Sequence, residues 1–309
     1  MNRNEPRHLI SLRDLSNADI DWIVRRGTEF AAATDRPDTL LAGKVLGVYF
    51  SKTSTRTRTA FTVGALRLGA EVIAYGPGDL QLNTGETVED TARVLAGMLD
   101  GMVIRIAGDP REIRAFAAPG MPVVNAMSAD EHPTQALADL TTLAALFGGI
   151  KGLRVLYVGE GNNTAAALAL GLARFADTTL ELRTPPGYGV PDETLAQAKH
   201  LARRSGSTVV ERHDMADLPR NADVVYTTRW QTTGTSKPDP DWRRVFAPFQ
   251  VNEEVMERCS GARFLHDLPA HRGEEVTAGV LDGPASIAFE QARNKLHSAM
   301  AVLEWCMVR

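Results

Sequence analysis

Cysteine is nearly absent from this chain of 309 residues: only Cys259 and Cys306 occur, far apart and without a Cys-x-x-Cys pair. That excludes a disulfide framework and a zinc-thiolate site, and fits a protein kept in a reducing cytoplasm. Long hydrophobic runs are missing as well. No stretch approaches the roughly 18 apolar residues of a membrane span, and Met1-Asn2-Arg3-Asn4-Glu5-Pro6 shows no apolar signal segment, so a soluble protein with no membrane partner is expected. Nor is there a basic excess. A formal charge of −4 and a pI near 6.0 argue against a general binder of nucleic acid or other polyanions. No short-period repeat or low-complexity tract appears. What is present is 44% hydrophobic residues, enough to bury a core in each of two domains, and two domains imply a cleft.

Short apolar runs recur at Val45 to Phe50, Glu71 to Tyr75, Met102 to Arg105 and Pro122 to Asn125, with stretches of helical length between them. The rhythm restarts after Gly148-Gly149-Ile150-Lys151-Gly152 with Leu153 to Val158. It continues through Leu180 to Leu182, Thr208 to Val210, Asp223 to Thr227 and Arg263 to Leu265. Such spacing predicts parallel strands with crossover helices. The expected fold is α/β: two doubly wound parallel-sheet domains joined by helices. The first spans residues 1–148 and the second 149–285, and a helix over 286–309 packs back on the first. The loop Gly234-Thr235-Ser236-Lys237-Pro238-Asp239-Pro240 is expected to be mobile.

In open parallel sheets ligands collect beyond the carboxyl ends of strands. The richest such end is Ser54-Thr55-Arg56-Thr57-Arg58, which follows the first apolar run and opens a helix. Free backbone N–H groups and the positive helix end there suit a phosphate. A cap would need one hydroxyl, whereas two guanidiniums match phosphate oxygens in geometry. Arg105 closes an otherwise apolar strand, where a charge is costly unless paired; a structural ion pair and a ligand both satisfy that requirement. His132-Pro133-Thr134-Gln135 opens a helix with Pro in its first turn, and His266-Asp267-Leu268-Pro269 follows the last strand. Gly159-Glu160-Gly161-Asn162-Asn163-Thr164 lacks the third glycine of a dinucleotide fingerprint. Close strand-to-helix packing, with Asn163 facing the cleft, is expected instead.

Phe50 to Arg58, Asp90-Thr91-Ala92-Arg93-Val94-Leu95, His132 to Asp139 and His266 to Val276, taken in this order, resemble the aspartate/ornithine carbamoyltransferase family over nearly the whole chain, with the ornithine branch nearest. The resemblance implies transfer of a carbamoyl group from carbamoyl phosphate to the amine of a small amino acid. It implies a homotrimer with shared active sites and no metal or organic cofactor. Carried over by position, Ser54, Thr55, Arg56 and Thr57 hold the phosphate, and Arg105, His132 and Thr57 polarise the carbonyl oxygen. Gln135 and the backbone near Leu268 hold the carbamoyl NH2, and Gln81 reaches a neighbouring subunit's site. Lys295 stands where the family has a late Arg.

The acceptor motifs depart from the ornithine branch. His-Cys-Leu-Pro becomes His266-Asp267-Leu268-Pro269, so a carboxylate replaces the thiol near the reacting amine. Asp-x-x-x-Ser-Met-Gly becomes Thr228-Arg229-Trp230-Gln231-Thr232-Thr233-Gly234, so the carboxylate for the substrate's amino group is missing at Thr228. Arg229 and Gln231 instead resemble the aspartate branch, where they bind the acceptor's carboxylate and amine. A compact diamino acid would satisfy both Arg229 and Asp267. Two other readings stay open: aspartate as acceptor, or a non-catalytic paralogue that binds carbamoyl phosphate. So does a purely structural use, with Asp267 paired to His266, His271 or Arg272 and Arg229 to a nearby acid.

Overall fold

Continuous apolar runs become parallel strands because both faces of such a strand are covered and neither tolerates polar side chains. A computed structural model describes residues 6–35, 38–232 and 235–308. The Met1 to Glu5 segment, Thr233-Gly234 at the head of the expected loop, and Arg309 lie outside the described residues. The chain divides into two compact units, Met1–Thr141 with Asn294–Arg309, and Thr142–Arg293. Both changes of unit fall inside helices, Pro133–Phe147 and Ala288–Met307, rather than at the glycine pair. Gly148, at φ 71°, instead ends the first of these helices in the left-handed region that glycine adopts without strain.

In the first unit, β1 (Val45–Phe50), β2 (Glu71–Tyr75), β3 (Gly101–Arg105) and β4 (Val123–Met127) form one parallel sheet in the order β2-β1-β3-β4. The inner strands β1 and β3 are buried almost throughout, as is β4, while β2 is an exposed edge. Tyr49, Met102, Ile104 and Val123 pack with Leu95, Ile113 and Phe116 of two crossover helices. Each such buried side chain contributes about 1.5–3 kcal/mol. The last helix starts at Ala288 rather than Ser286, because Ile287 N–H still pairs with the Phe264 carbonyl at 2.9 Å. Its later turns join the first unit: Arg26 Nε donates to Glu304 Oε2 at 2.7 Å and Trp305 Nε1 to Asp19 Oδ1 at 3.0 Å.

The second unit pairs β5 (Arg154–Val158), β6 (Thr179–Arg183), β7 (Thr208–Arg212), β8 (Val224–Thr227) and β9 (Arg263–His266), again all parallel, in the order β7-β6-β5-β8-β9. Strands β6 and β7 run on past their apolar cores into charged residues. Arg183 is fully buried there, bonded to Asp214 and to the carbonyls of Asp214 and Asp217, so the ladder continues through a charge. Strand order reverses between β1 and β3 and between β5 and β8, and the carboxyl ends beside such a reversal are where open sheets bind ligands.

Candidate active site

At the first reversal, β1 leads through Ser51 to Thr55 into the helix Arg56–Arg67. Thr55 sits at the N-cap but its hydroxyl makes no capping hydrogen bond, so the Ser/Thr cluster is not used as a cap. The first-turn N–H groups and the helix dipole are thus directed at whatever lies before the helix, with Arg56 half-buried and Thr57 buried beside them. Arg105 ends the neighbouring β3, buried at 8% exposure, where the pairing with β4 shifts register between Ile104 and Arg105. A bulge at a strand end re-aims the side chain it carries.

His132 and Gln135, from the start of the helix Pro133–Phe147, line one pocket together with Thr57, Thr134 and Lys295. Burial, then the charges of Arg105 and Lys295, press His132 well below the ordinary imidazole value of 6.5. A neutral imidazole among fixed cations is a hydrogen-bonding group for an anionic or carbonyl ligand, not an added charge. Gln135 Nε2 donates to Asp139 Oδ1 at 2.8 Å, one helical turn on, which fixes the amide so that Oε1 is buried with no hydrogen-bond partner among the described residues. Such an acceptor calls for an N–H donor from a ligand. Gln81 is placed elsewhere: it lies exposed in the short helix Gln81–Thr84, its Oε1 bonded to Thr84 Oγ1 at 3.0 Å.

The depressed His132 has a pH consequence. Its unfolded imidazole takes up a proton near pH 6.5, whereas the folded one does not, so the unfolded state binds more protons below that pH. The stability tied to this group is therefore complete above about pH 6.5 and shrinks as pH falls below it. Denaturation midpoints at pH 5.5 and 7.5 should show wild type losing more stability on acidification than His132→Gln; equal losses would contradict a depressed, buried imidazole.

In the second unit, β5 ends at Gly159-Glu160-Gly161, and a Cβ on Gly161 would lie 2.1 Å from Val190 N, so the turn is glycine because the 187–190 loop passes against it. The close approach is thus to a loop, not the strand-to-helix packing expected from the sequence. Asn162 caps the helix Asn163–Leu172 and donates through Nδ2 to Thr228 Oγ1 at 3.0 Å; that hydroxyl also meets Tyr157 Oη at 3.0 Å. Burial pushes the Tyr157 phenol well above 10, so it remains a donor, to the Glu160 carbonyl at 2.6 Å. Thr228 is thereby fully engaged, with Asn163 buried on the same helix start.

Asp267 follows β9 and accepts from Thr164 Oγ1 at 3.2 Å. The cations weighed as partners from sequence are otherwise occupied. His266 takes the Leu268 N–H on Nδ1 at 2.8 Å and bonds Glu275 through Nε2 at 3.1 Å, so the Nδ1 that lies 3.5 Å from Asp267 has no proton to donate. Arg272 pairs with Asp282 at 2.7 Å, and His271 Nδ1 is 3.5 Å from Glu274. The His266 contact holds Leu268 at φ 54°, a left-handed conformation that is costly for a leucine. Arg229, half-buried after β8, forms no ion pair among the described residues, while Gln231 Nε2 donates to the Thr235 carbonyl at 2.7 Å.

Sequence reasoning missed Asp139, Asn162 and Thr164. The i,i+4 spacing of Gln135 and Asp139 was the one readable signal. Among the described residues no group of three or more His, Cys, Asp or Glu could hold a metal ion, and no helix is long and apolar enough to cross a membrane.

Residues 7–145 match the carbamoyl-P binding domain of aspartate/ornithine carbamoyltransferases, and residues 151–306 match the Asp/Orn binding domain. The chain is 39% identical over 302 residues to an ornithine carbamoyltransferase of Anoxybacillus flavithermus, covering 96% of this chain and 95% of that one. It is 39% identical over 299 residues to that of Bacillus subtilis, at 96% and 93% coverage. Among solved structures, the ornithine carbamoyltransferase from Pyrococcus furiosus superposes with a TM-score of 0.92 at 37% identity, covering 98% of this chain and 97% of that one.

Proposed function

Because the chain belongs to the aspartate/ornithine carbamoyltransferase family and is a carbamoyltransferase, we propose that its acceptor is a short diamino acid. The neutral side-chain amine attacks the carbonyl carbon of carbamoyl phosphate, the C–N bond forms and the C–O bond to phosphate breaks. The amine's proton leaves with the phosphate, giving a ureido amino acid and hydrogen phosphate.

Within this reading Ser54, Thr55, Arg56 and Thr57 bind the phosphate, and Arg105, His132 and Thr57 stabilise the oxyanion that develops on the carbonyl. Gln135 Oε1 accepts from the carbamoyl NH2, and Lys295 adds positive charge to the phosphate pocket. Asn163, Arg229, Gln231, Asp267 and the Leu268 backbone form the acceptor set. The observation that carries the choice of acceptor is the pair of unspent charges in the second unit. Arg229 has no ion pair among the described residues, and Asp267 is bonded to a hydroxyl rather than a cation. The first suits a carboxylate and the second an ammonium.

A diamino acid also eases the chemistry. For a Lys-like amine of pKa near 10.4, deprotonation at pH 7.4 costs roughly 4 kcal/mol, and bringing two amines close together lowers that pKa. Aspartate is the second reading, favoured by Arg229 and opposed by the repulsion between its side-chain carboxylate and Asp267. Labelled carbamoyl phosphate offered separately to ornithine, its shorter homologues, lysine, putrescine and aspartate tests the proposal. Label should enter a ureido product with a short diamino acid and not with putrescine, which has no carboxylate for Arg229. Labelling of aspartate alone would overturn it.

The chain is further proposed to act as a homotrimer in the cytoplasm, with Gln81 completing a neighbouring subunit's site. Its exposed position, away from the pocket of its own unit, supports this. Mixed trimers prepared from inactive Gln81→Ala and inactive Arg105→Ala subunits should recover part of the activity, since some interfaces then hold both intact residues. No recovery in verified mixed trimers would contradict a shared site.

A further inference from the structure

Lys237 is a lysine whose side chain is only 4% exposed, and it lies in a loop rather than a core element. Its ammonium pairs with Glu160, in the turn after β5, and sits 4.7 Å from the ring centre of Tyr188, 5.3 Å from Trp242 and 4.7 Å from Phe246. Three aromatic faces and a carboxylate around one ammonium make a closed cation box. The same aromatic cluster takes in Trp230, which packs 5.6 Å from Phe246 and 6.5 Å from Trp242. Trp230 is flanked in sequence by Arg229 and Gln231, so the two proposed acceptor residues adjoin, along the chain, a residue held in this cluster.

Glu160 ties down the other end of this segment as well. Its carbonyl accepts from Tyr157 Oη, which meets Thr228 Oγ1, the residue directly before Arg229. Between these anchors the loop bonds to itself, from Gln231 Nε2 to the Thr235 carbonyl and from Thr235 Oγ1 to the Thr232 carbonyl. The second Glu160 oxygen, Oε2, is buried with no hydrogen-bond partner among the described residues, so Lys237 is the group that offsets the cost of burying this carboxylate.

We infer that Lys237 is a positioning residue for acceptor recognition: paired with Glu160 inside the aromatic box, it fixes the segment that presents Arg229 and Gln231. This rests on the reading of Arg229 as an acceptor residue.

The test compares Lys237→Met, Glu160→Gln, the double variant, Lys237→Arg and Arg229→Ala. Readouts are KM for carbamoyl phosphate, KM for ornithine and 2,4-diaminobutyrate as acceptor probes, and tryptophan emission. Losing either partner should raise the acceptor KM about tenfold and leave the carbamoyl phosphate KM within about twofold, the double variant being no worse than a single because both act through one contact. Lys237→Arg should keep most of the affinity, since a guanidinium retains the charge and stacks on aromatic faces. Tryptophan emission should shift in Lys237→Met whatever the acceptor is, because it reports the box directly. An emission shift with unchanged acceptor KM would overturn the inference. If Arg229→Ala leaves acceptor KM unchanged, the acceptor reading itself fails. Should Lys237→Met not fold, the double variant, which removes both charges at similar volume, carries the same expected KM rise.

Discussion

Arg105→Ala is expected to lower kcat by about 10²–10³-fold, the usual cost of removing one donor to a developing oxyanion. The residue is buried at the end of β3, and its charge is the second cause, after burial, of the depressed His132. The substitution should therefore leave a second mark. With one of the two neighbouring cations gone, His132 moves back up toward its ordinary value, and an acid limb absent from wild type should enter the pH profile of carbamoyl phosphate use. Arg105→Lys should recover charge but not the guanidinium fork, and so restore the profile better than the rate. A loss below tenfold, with an unchanged pH profile, would reduce Arg105 to a structural role.

Asp267→Asn is expected to cost about 2–5 kcal/mol in kcat/KM for a diamino acid, the range for deleting one member of a desolvated charge pair. Asp267→Glu should lose far less, because the charge remains. The carbamoyl phosphate KM should stay close to wild type in both. In the first variant the Thr164 hydroxyl can still donate to the oxygen of the introduced amide, so folding is not expected to fail. Full turnover by Asp267→Asn with the best acceptor would leave Asp267 with a structural role only.

How much of this was readable before the fold depends on how local each feature is. The parallel sheets were legible because strands covered on both faces must be apolar in unbroken runs, and the strand-to-helix junction proposed to hold phosphate because it lies within one short stretch of sequence. Strand ends were less so. Arg183 reads as surface until Asp214 and the carbonyls of Asp214, Ala216 and Asp217 are seen to enclose it. The proposed acceptor side rests on long-range pairs, Thr164 with Asp267 and Lys237 with Glu160, which are 103 and 77 residues apart. No local pattern announces either. Gly161 carries the same lesson: its need for no side chain comes from Val190, supplied by a loop well downstream.

The most direct test of the account is a competition in a single vessel. Labelled carbamoyl phosphate is supplied with equal concentrations of ornithine, 2,4-diaminobutyrate and aspartate, and the ureido products are separated and counted at low conversion, so that their ratio reads kcat/KM for each acceptor. The expected result is that 2,4-diaminobutyrate takes most of the label, with ornithine behind it and aspartate near background. A product ratio led by aspartate would contradict the pairing of Arg229 with Asp267 as the acceptor's two charge anchors.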